Sequence, residues 1–290
     1  MGKALADTFP AARRIFNEAD EALGFPISQL CFAGPDDQLK LTENTQPALL
    51  TVSIAALAVL RERGITPAFV AGHSLGEYSA LVAAGGLRFA DAVRIVRRRG
   101  QYMQDAVPPG LGAMAALLKL PEGKLDDVLA EAAQGEVVSA ANLNSPDQVV
   151  IAGHAGAVTR AMELAKAAGA RRAVLLPVSA PFHCALMKPA QERLRADLDA
   201  AEFHDLTCPL INNWQALPIR TGTEAREGLY QQVPNPVRWN ASIRYLAGAG
   251  VSSFIEVGAG AVLTGLLRNI DPALGGAKFG EPADLDKLPA

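Results

Sequence analysis

The chain has 290 residues, enough for about two ordinary domains, and 50% are apolar, so a large core can be buried. Its 27 Lys and Arg stand against 30 Asp and Glu, a formal net charge of −3, which excludes a dedicated duplex-DNA binder with a strongly basic footprint. The three cysteines, Cys31, Cys184 and Cys208, are odd in number and widely spaced, which excludes a disulfide framework and a Cys-x-x-Cys metal or redox site.

Residues 10–23 predict an amphipathic helix: Ala12, Phe16, Ala19 and Leu23 share a face, Pro10 suits the first turn and Gly24 the stop. A more buried helix follows over 48–63 and stops at Gly64. Its apolar run contains Thr51 and Ser53 and ends in Arg61-Glu62-Arg63, too short to cross a bilayer. Asp7, Arg13, Arg14 and Glu18 break any signal-peptide core, and Ala6 stands where N-myristoylation wants Ser or Thr. A cytoplasmic protein is expected, with no membrane and no nucleic acid among its partners.

A short buried strand is predicted over 67–71, then Gly72-His73-Ser74-Leu75-Gly76, a helix to 84 and another over 91–104, stopped by Pro108-Pro109-Gly110. The rhythm then changes to strand 112–120, helix 122–133, strands 137–141 and 148–152 around the turn Asn144-Ser-Pro-Asp147, helix 155–168 and strand 172–178. This β-α-β-β-α-β order is that of a ferredoxin-like subdomain inserted over 109–179, within a large α/β domain made of 1–108 and 180–290. In the second part of the large domain, helices are expected over 186–200, 236–248 and 260–269 and strands over 209–212 and 253–257. The last fifteen residues, rich in Gly, Pro and Asp, read as loosely packed.

Gly72-His73-Ser74-Leu75-Gly76 between a strand and a helix is the G-x-S-x-G nucleophile elbow, a sharp turn that exposes the serine hydroxyl at the top of a sheet. The glycines are expected because side chains would strike neighbouring backbone. The Leu75 amide, at a helix N-terminus, is free to stabilise an oxyanion. The serine needs a base, and there are four histidines. His73 adjoins the nucleophile and should point away from it; His154 and His204 sit in structural or solvated places. His183, in the loop Ser179-Ala-Pro-Phe-His-Cys184 after a strand, is left as the best candidate. A common serine hydrolase would place an acid and then a His near its C-terminus, but beyond His183 this chain offers just His204, so chain order counts against a simple esterase. Val257-Gly-Ala-Gly260 hints at a dinucleotide fingerprint, but Leu263 stands at the third glycine position.

Six segments, Ala71-Gly-His-Ser-Leu-Gly-Glu-Tyr-Ser-Ala-Leu81, Gln46-Pro-Ala-Leu-Leu50, Arg99-Gly-Gln-Tyr-Met-Gln104, Asn144-Ser-Pro-Asp-Gln-Val-Val-Ile-Ala-Gly153, His183-Cys-Ala-Leu-Met-Lys-Pro189 and Asn235-Pro-Val-Arg-Trp239, closely resemble the bacterial malonyl-CoA:acyl carrier protein transacylase family, in order and over essentially the whole chain. The resemblance implies a hydrolase-like α/β domain with an inserted ferredoxin-like subdomain. It also implies an acyltransferase passing malonyl from malonyl-CoA, through a malonyl-serine, to the phosphopantetheine thiol of acyl carrier protein in fatty-acid synthesis. Ser74 would be the nucleophile, His183 its base, and Gln232 the residue whose backbone carbonyl orients the histidine. Arg99 would hold the substrate carboxylate in a two-pronged bond; composition alone makes it one more solvated charge in Arg97-Arg98-Arg99. Phe182 would wall off larger α-substituents. No cofactor or metal is implied, malonyl-CoA being the substrate, and a monomer is expected.

Family members begin with a strand and a loop of the type G-Q-G-S-Q, whose glutamine supplies a second oxyanion amide, whereas this sequence opens almost directly on its first helix. The expectation from this departure is that Met1 corresponds to an internal position of the family and that a strand is missing beside the elbow. Two other readings therefore stand beside malonyl transfer: a serine thioesterase or esterase, and a catalytically weak protein that binds the carrier.

Overall fold

In the computed structural model, which describes residues 1–178 and 180–288, the chain opens on five helices: α1 (Lys3–Thr8), α2 (Pro10–Leu23), α3 (Ile27–Ala33), α4 (Asp36–Lys40) and α5 (Thr42–Glu62). Helix α2 matches its expected span, with Pro10 in its first turn and Gly24 closing it at φ 70°. Three of the five, α1, α3 and α4, are too short to show a hydrophobic period and were not expected. Helix α5 is buried along most of its length and begins at Thr42, six residues before the expected start at residue 48, with Pro47 inside it. A proline there removes one amide donor, and the Glu43 carbonyl accepts instead from Arg97 Nη1 at 3.4 Å.

Strand β1 (Val70–Ala71) leads into helix α6 (Gly76–Ala83), and helix α7 (Phe89–Asp105) packs back across α5. Next come β2 (Gly112–Leu118), α8 (Leu125–Ala133), β3 (Val138–Ser145), β4 (Gln148–His154), α9 (Ala155–Ala167) and β5 (Arg172–Leu175). These four strands form an antiparallel sheet in the order β3-β4-β2-β5, the ferredoxin-like arrangement. Val128 and Ala132 of α8 and Val158, Ala161 and Ala165 of α9 pack on Ala115, Leu117 and Ile151 as a core of their own. Strand β3 runs through Ser145, so the turn between β3 and β4 is tighter than the expected four residues. Ser179, which opens the histidine loop, lies outside the described residues.

A short 3₁₀ turn, Ala185–Met187, enters α10 (Lys188–Ala200). Then follow β6 (Leu210–Ile211), β7 (Pro218–Ile219), α11 (Gly222–Gln232), α12 (Trp239–Gly248), β8 (Ser253–Val257), α13 (Val262–Ile270) and β9 (Gly275–Phe279). Helix α11 was not expected, although Thr221 and Glu224 form a reciprocal capping box at its start. Up to residue 288 the final stretch is ordered rather than loose: β9 pairs in parallel with β8 and Phe279 is fully buried. Beyond it the buried Asp284 carboxylate accepts from the Gly280 and Glu281 amides and from Lys278.

The fold is thus α/β, with its parallel pairs, β1/β6 and β8/β9, in separate sheets. Among the described residues, strand β1 pairs only with β6 and β8 only with β9, and both line one cavity of about 620 Å³ together with Leu57, Leu60, Ile243 and Leu246. No helix among the described residues is long and apolar enough to cross a membrane.

Candidate active site

Strand β1 ends at Ala71 and the chain turns sharply into α6. A side chain at Gly72 would place its Cβ 1.9 Å from the Gly76 carbonyl oxygen, so only glycine fits there. At Gly76 a Cβ would meet nothing within 4 Å, which corrects the expectation that both glycines avoid a collision. The crowding is one-sided because residue 72 faces the first turn of α6. At the apex Ser74 has φ 53°, the left-handed region that non-glycine residues avoid. The amides of Gly76, Glu77 and Tyr78 bond back to His73, Ser74 and Leu75. The Leu75 amide takes no part in these turn bonds and points from the positive end of α6.

The Ser74 hydroxyl lies 2.7 Å from His183 Nε2, bringing the candidate nucleophile and base together across 109 residues of chain. On the other side of the ring, Nδ1 is 3.0 Å from the Gln232 carbonyl oxygen. That carbonyl is available for a physical reason: Gln232 is the last residue of α11, and the last carbonyls of a helix have no partner within it. The Nδ1–H therefore donates to Gln232, leaving Nε2 as the acceptor for the serine proton. Burial, reinforced by the Arg99 charge, pushes the His183 pKa down to about 3.

The three consecutive arginines of α7 have three fates, since successive residues on a helix point about 100° apart. Arg97 donates to Asn44 Oδ1 and covers the Phe25 ring, and Arg98 pairs with Asp197 at the surface. Arg99 turns inward and is only 2% exposed. Its Nη2 donates to Ser74 Oγ at 3.1 Å and to Gln232 Oε1 at 2.8 Å, and its Nη1 donates to Gln46 Oε1 at 2.6 Å. The solvated-charge reading is thereby excluded, and a guanidinium stands beside the candidate nucleophile.

Asn213, just after β6, is a site residue that the sequence reading missed. Its Oδ1 accepts the Ser74 amide at 2.7 Å and its Nδ2 donates to the Gly72 carbonyl at 2.7 Å, straddling the elbow. Gln46 and Glu77 stood inside quoted motifs without a role. Glu77 Oε2 accepts from Gln232 Nε2 at 2.7 Å and from the Asn213 amide at 3.1 Å. Burial raises its pKa to about 7, against the lowering effect of these bonds and of Arg99. Polar residues directly after a buried strand were the available signal for Asn213, since strand-end loops collect functional groups.

The remaining expected residues are accounted for. Phe182 is half-buried against both the large core and the inner face of the ferredoxin-like sheet, next to His183. His73 points away from the hydroxyl, to Asn144 Oδ1 at 2.8 Å, tying the elbow to β3. His154 Nδ1 accepts the Val137 amide, and His204 lies at the surface near Glu202.

A hydroxyl, a neutral imidazole, a free helix-terminal amide and a buried guanidinium within one cluster suit transfer of a carboxylated acyl group. Residues 1–271 match the family model described as "Acyl transferase domain". The chain belongs to the acyl transferase domain family. It is 49% identical over 287 residues to the malonyl CoA-acyl carrier protein transacylase of Bacillus subtilis (strain 168), covering 99% of this chain and 90% of that one. The Escherichia coli (strain K12) enzyme of the same name is 49% identical over 280 residues, covering 96% and 91%. Among solved structures, an acyl carrier protein S-malonyltransferase from Vibrio cholerae superposes with a TM-score of 0.97 at 45% identity, covering 100% of this chain and 95% of that one. A malonyl-transacylase solved in complex with its type II PKS acyl-carrier protein gives a TM-score of 0.95 at 44% identity, covering 98% and 92%. The chain is an acyltransferase.

Proposed function

We propose that this acyltransferase moves a malonyl group from malonyl-CoA to the phosphopantetheine thiol of an acyl carrier protein, as part of fatty-acid biosynthesis. The observation that carries the reading is the buried Arg99 guanidinium 3.1 Å from the hydroxyl of Ser74, a cation where a malonyl-serine would present its free carboxylate. In the first half-reaction, His183 Nε2 takes the Ser74 proton as Oγ attacks the thioester carbonyl carbon. The Leu75 amide stabilises the oxyanion. As the intermediate collapses, the carbon–sulfur bond breaks and the proton on Nε2 passes to the CoA sulfur. In the second half, the carrier thiol gives its proton to His183, attacks the malonyl-serine, and Ser74 recovers its hydrogen. The Gln232 carbonyl holds the ring in one tautomer throughout. The chemistry needs no metal or redox cofactor, because nucleophile, base and carboxylate-binding cation are all side chains. Phe182 narrows the space beside the acyl group, and residues 109–179 act as a subdomain walling the cleft. Three buried, unpaired cysteines fit the reducing cytoplasm.

Intact-protein mass spectrometry after exposure to malonyl-CoA tests the reading. The parent should gain one malonyl group and pass it to carrier protein, and Ser74→Ala should gain none. Release of free malonate without transfer would make the protein a thioesterase. Carrier binding without any adduct would leave it a binding protein. A stable adduct on Ser74→Ala would remove Ser74 from its role.

A further inference from the structure

Arg99 is held almost entirely by neutral groups. Gln46 Oε1 takes Nη1, Gln232 Oε1 and Ser74 Oγ take Nη2, and the Tyr78 ring lies 5.6 Å away. The nearby acid, Glu77, directs Oε2 to Gln232 Nε2 and to the Asn213 amide instead of to the guanidinium. Gln46 is itself buried, in the first turns of α5, and its Nε2 donates to Thr42 Oγ1 at 3.1 Å, which aims Oε1 at Arg99. A buried arginine ordinarily meets a carboxylate, because an uncompensated charge in a low-dielectric interior is costly.

We infer that Gln46 determines acyl specificity: as an uncharged acceptor it orients Arg99 without neutralising it, so that the carboxylate completing the ion pair is the one on the incoming acyl group. The inference rests on the assignment of Arg99 to the acyl carboxylate. A glutamate at position 46 has nearly the same shape but would supply the counter-charge permanently. The malonyl carboxylate would then meet a satisfied guanidinium and a like charge, whereas acetyl has no carboxylate and is indifferent to the change.

The test is competition between malonyl-CoA and acetyl-CoA, read as the ratio of the two Ser74 adducts, in the parent, Gln46→Glu, Gln46→Met and Arg99→Ala. Calorimetric binding of the two thioesters to the same variants carrying Ser74→Ala gives a second readout that needs no turnover. Gln46→Glu should lower the malonyl-to-acetyl ratio by about tenfold or more, the order expected for losing a charge-assisted bond. Gln46→Met, which adds no counter-charge beside Arg99, should stay within about threefold of the parent, since only one hydrogen bond of orientation is lost. A parental ratio in Gln46→Glu overturns the inference, as does an equal fall in Gln46→Met, which would make orientation and not charge the cause. A parental ratio in Arg99→Ala would remove the Arg99 assignment and the inference with it. A fall in Arg99→Ala with none in Gln46→Glu removes the inference alone.

Discussion

Ser74 is held at φ 53°, a conformation that costs on the order of 1–3 kcal/mol for a residue with a side chain. The two bonds from Asn213 offset that cost by clamping the elbow at Gly72 and at Ser74. Asn213→Ala should therefore lower the acylation rate by about 10–100-fold while leaving the KM for malonyl-CoA nearly unchanged, because misplacing a nucleophile by about 1 Å has that effect. Single-turnover kinetics would show it, and a change confined to KM would contradict it. His183 gives a second residue-scale expectation. An ordinary imidazole would lose its base form below about pH 6.5, but burial and Arg99 hold this one near 3. The acylation rate should stay flat as pH falls from 8 to about 4.5, and an acid limb centred near 6.5 would show that His183 is not so shielded.

Helices α5 and α7 approach so closely at Gly100 that an added Cβ would lie 2.6 Å from Glu43 Cα and 2.7 Å from the Thr42 carbonyl oxygen. These are backbone atoms, which cannot rotate away. Gly100→Ala must therefore push α7 off the first turn of α5, separating Arg99 from Gln46. Overpacking of this kind costs roughly 1–3 kcal/mol. Urea unfolding should show that loss together with a weakened malonyl preference, and a variant with parental stability and selectivity would mean that the helices slide apart freely. The same turn of α5 was obscured in the sequence by Pro47, which reads as a helix boundary although Arg97 takes over the carbonyl it frees.

At the scale of the whole molecule, two buried groups work against each other as pH changes. Glu77, raised from 4.5 to about 7, binds its proton more tightly when folded, so its contribution is full below pH 4.5 and is lost as pH rises through 7. His183, lowered from 6.5 to about 3, is neutral when folded, so its contribution is full above pH 6.5 and is lost as pH falls through 3. The two slopes oppose each other between pH 4.5 and 6.5. Glu77→Gln removes one of them while His183 remains in both proteins. The stability of the variant relative to the parent should then rise with pH from 4.5 to about 7, by on the order of 2–3 kcal/mol, and level off above. Unfolding midpoints measured across that range give the difference directly; a flat difference would place the Glu77 pKa near its ordinary value.

What the sequence determined by itself was local. The elbow was legible because a strand, a sharp turn and a helix N-terminus are specified by adjacent residues, and the alternation of strands and helices over 112–178 was long enough to show the ferredoxin-like order. His183 followed from there being four histidines and one suitable loop. Tertiary structure decided the rest. The Gln232 carbonyl has no sequence signature of its own, since every residue carries one; it acts because α11 ends there, and only the resemblance pointed to it. Asn213, Gln46 and Arg99 come from three elements distant in the chain, and which side of a helix or strand end meets Ser74 depends on how those elements pack. The tail was misread for the same reason: Gly275–Phe279 has little strand character alone and becomes a strand by pairing with β8, whose backbone supplies the missing hydrogen bonds.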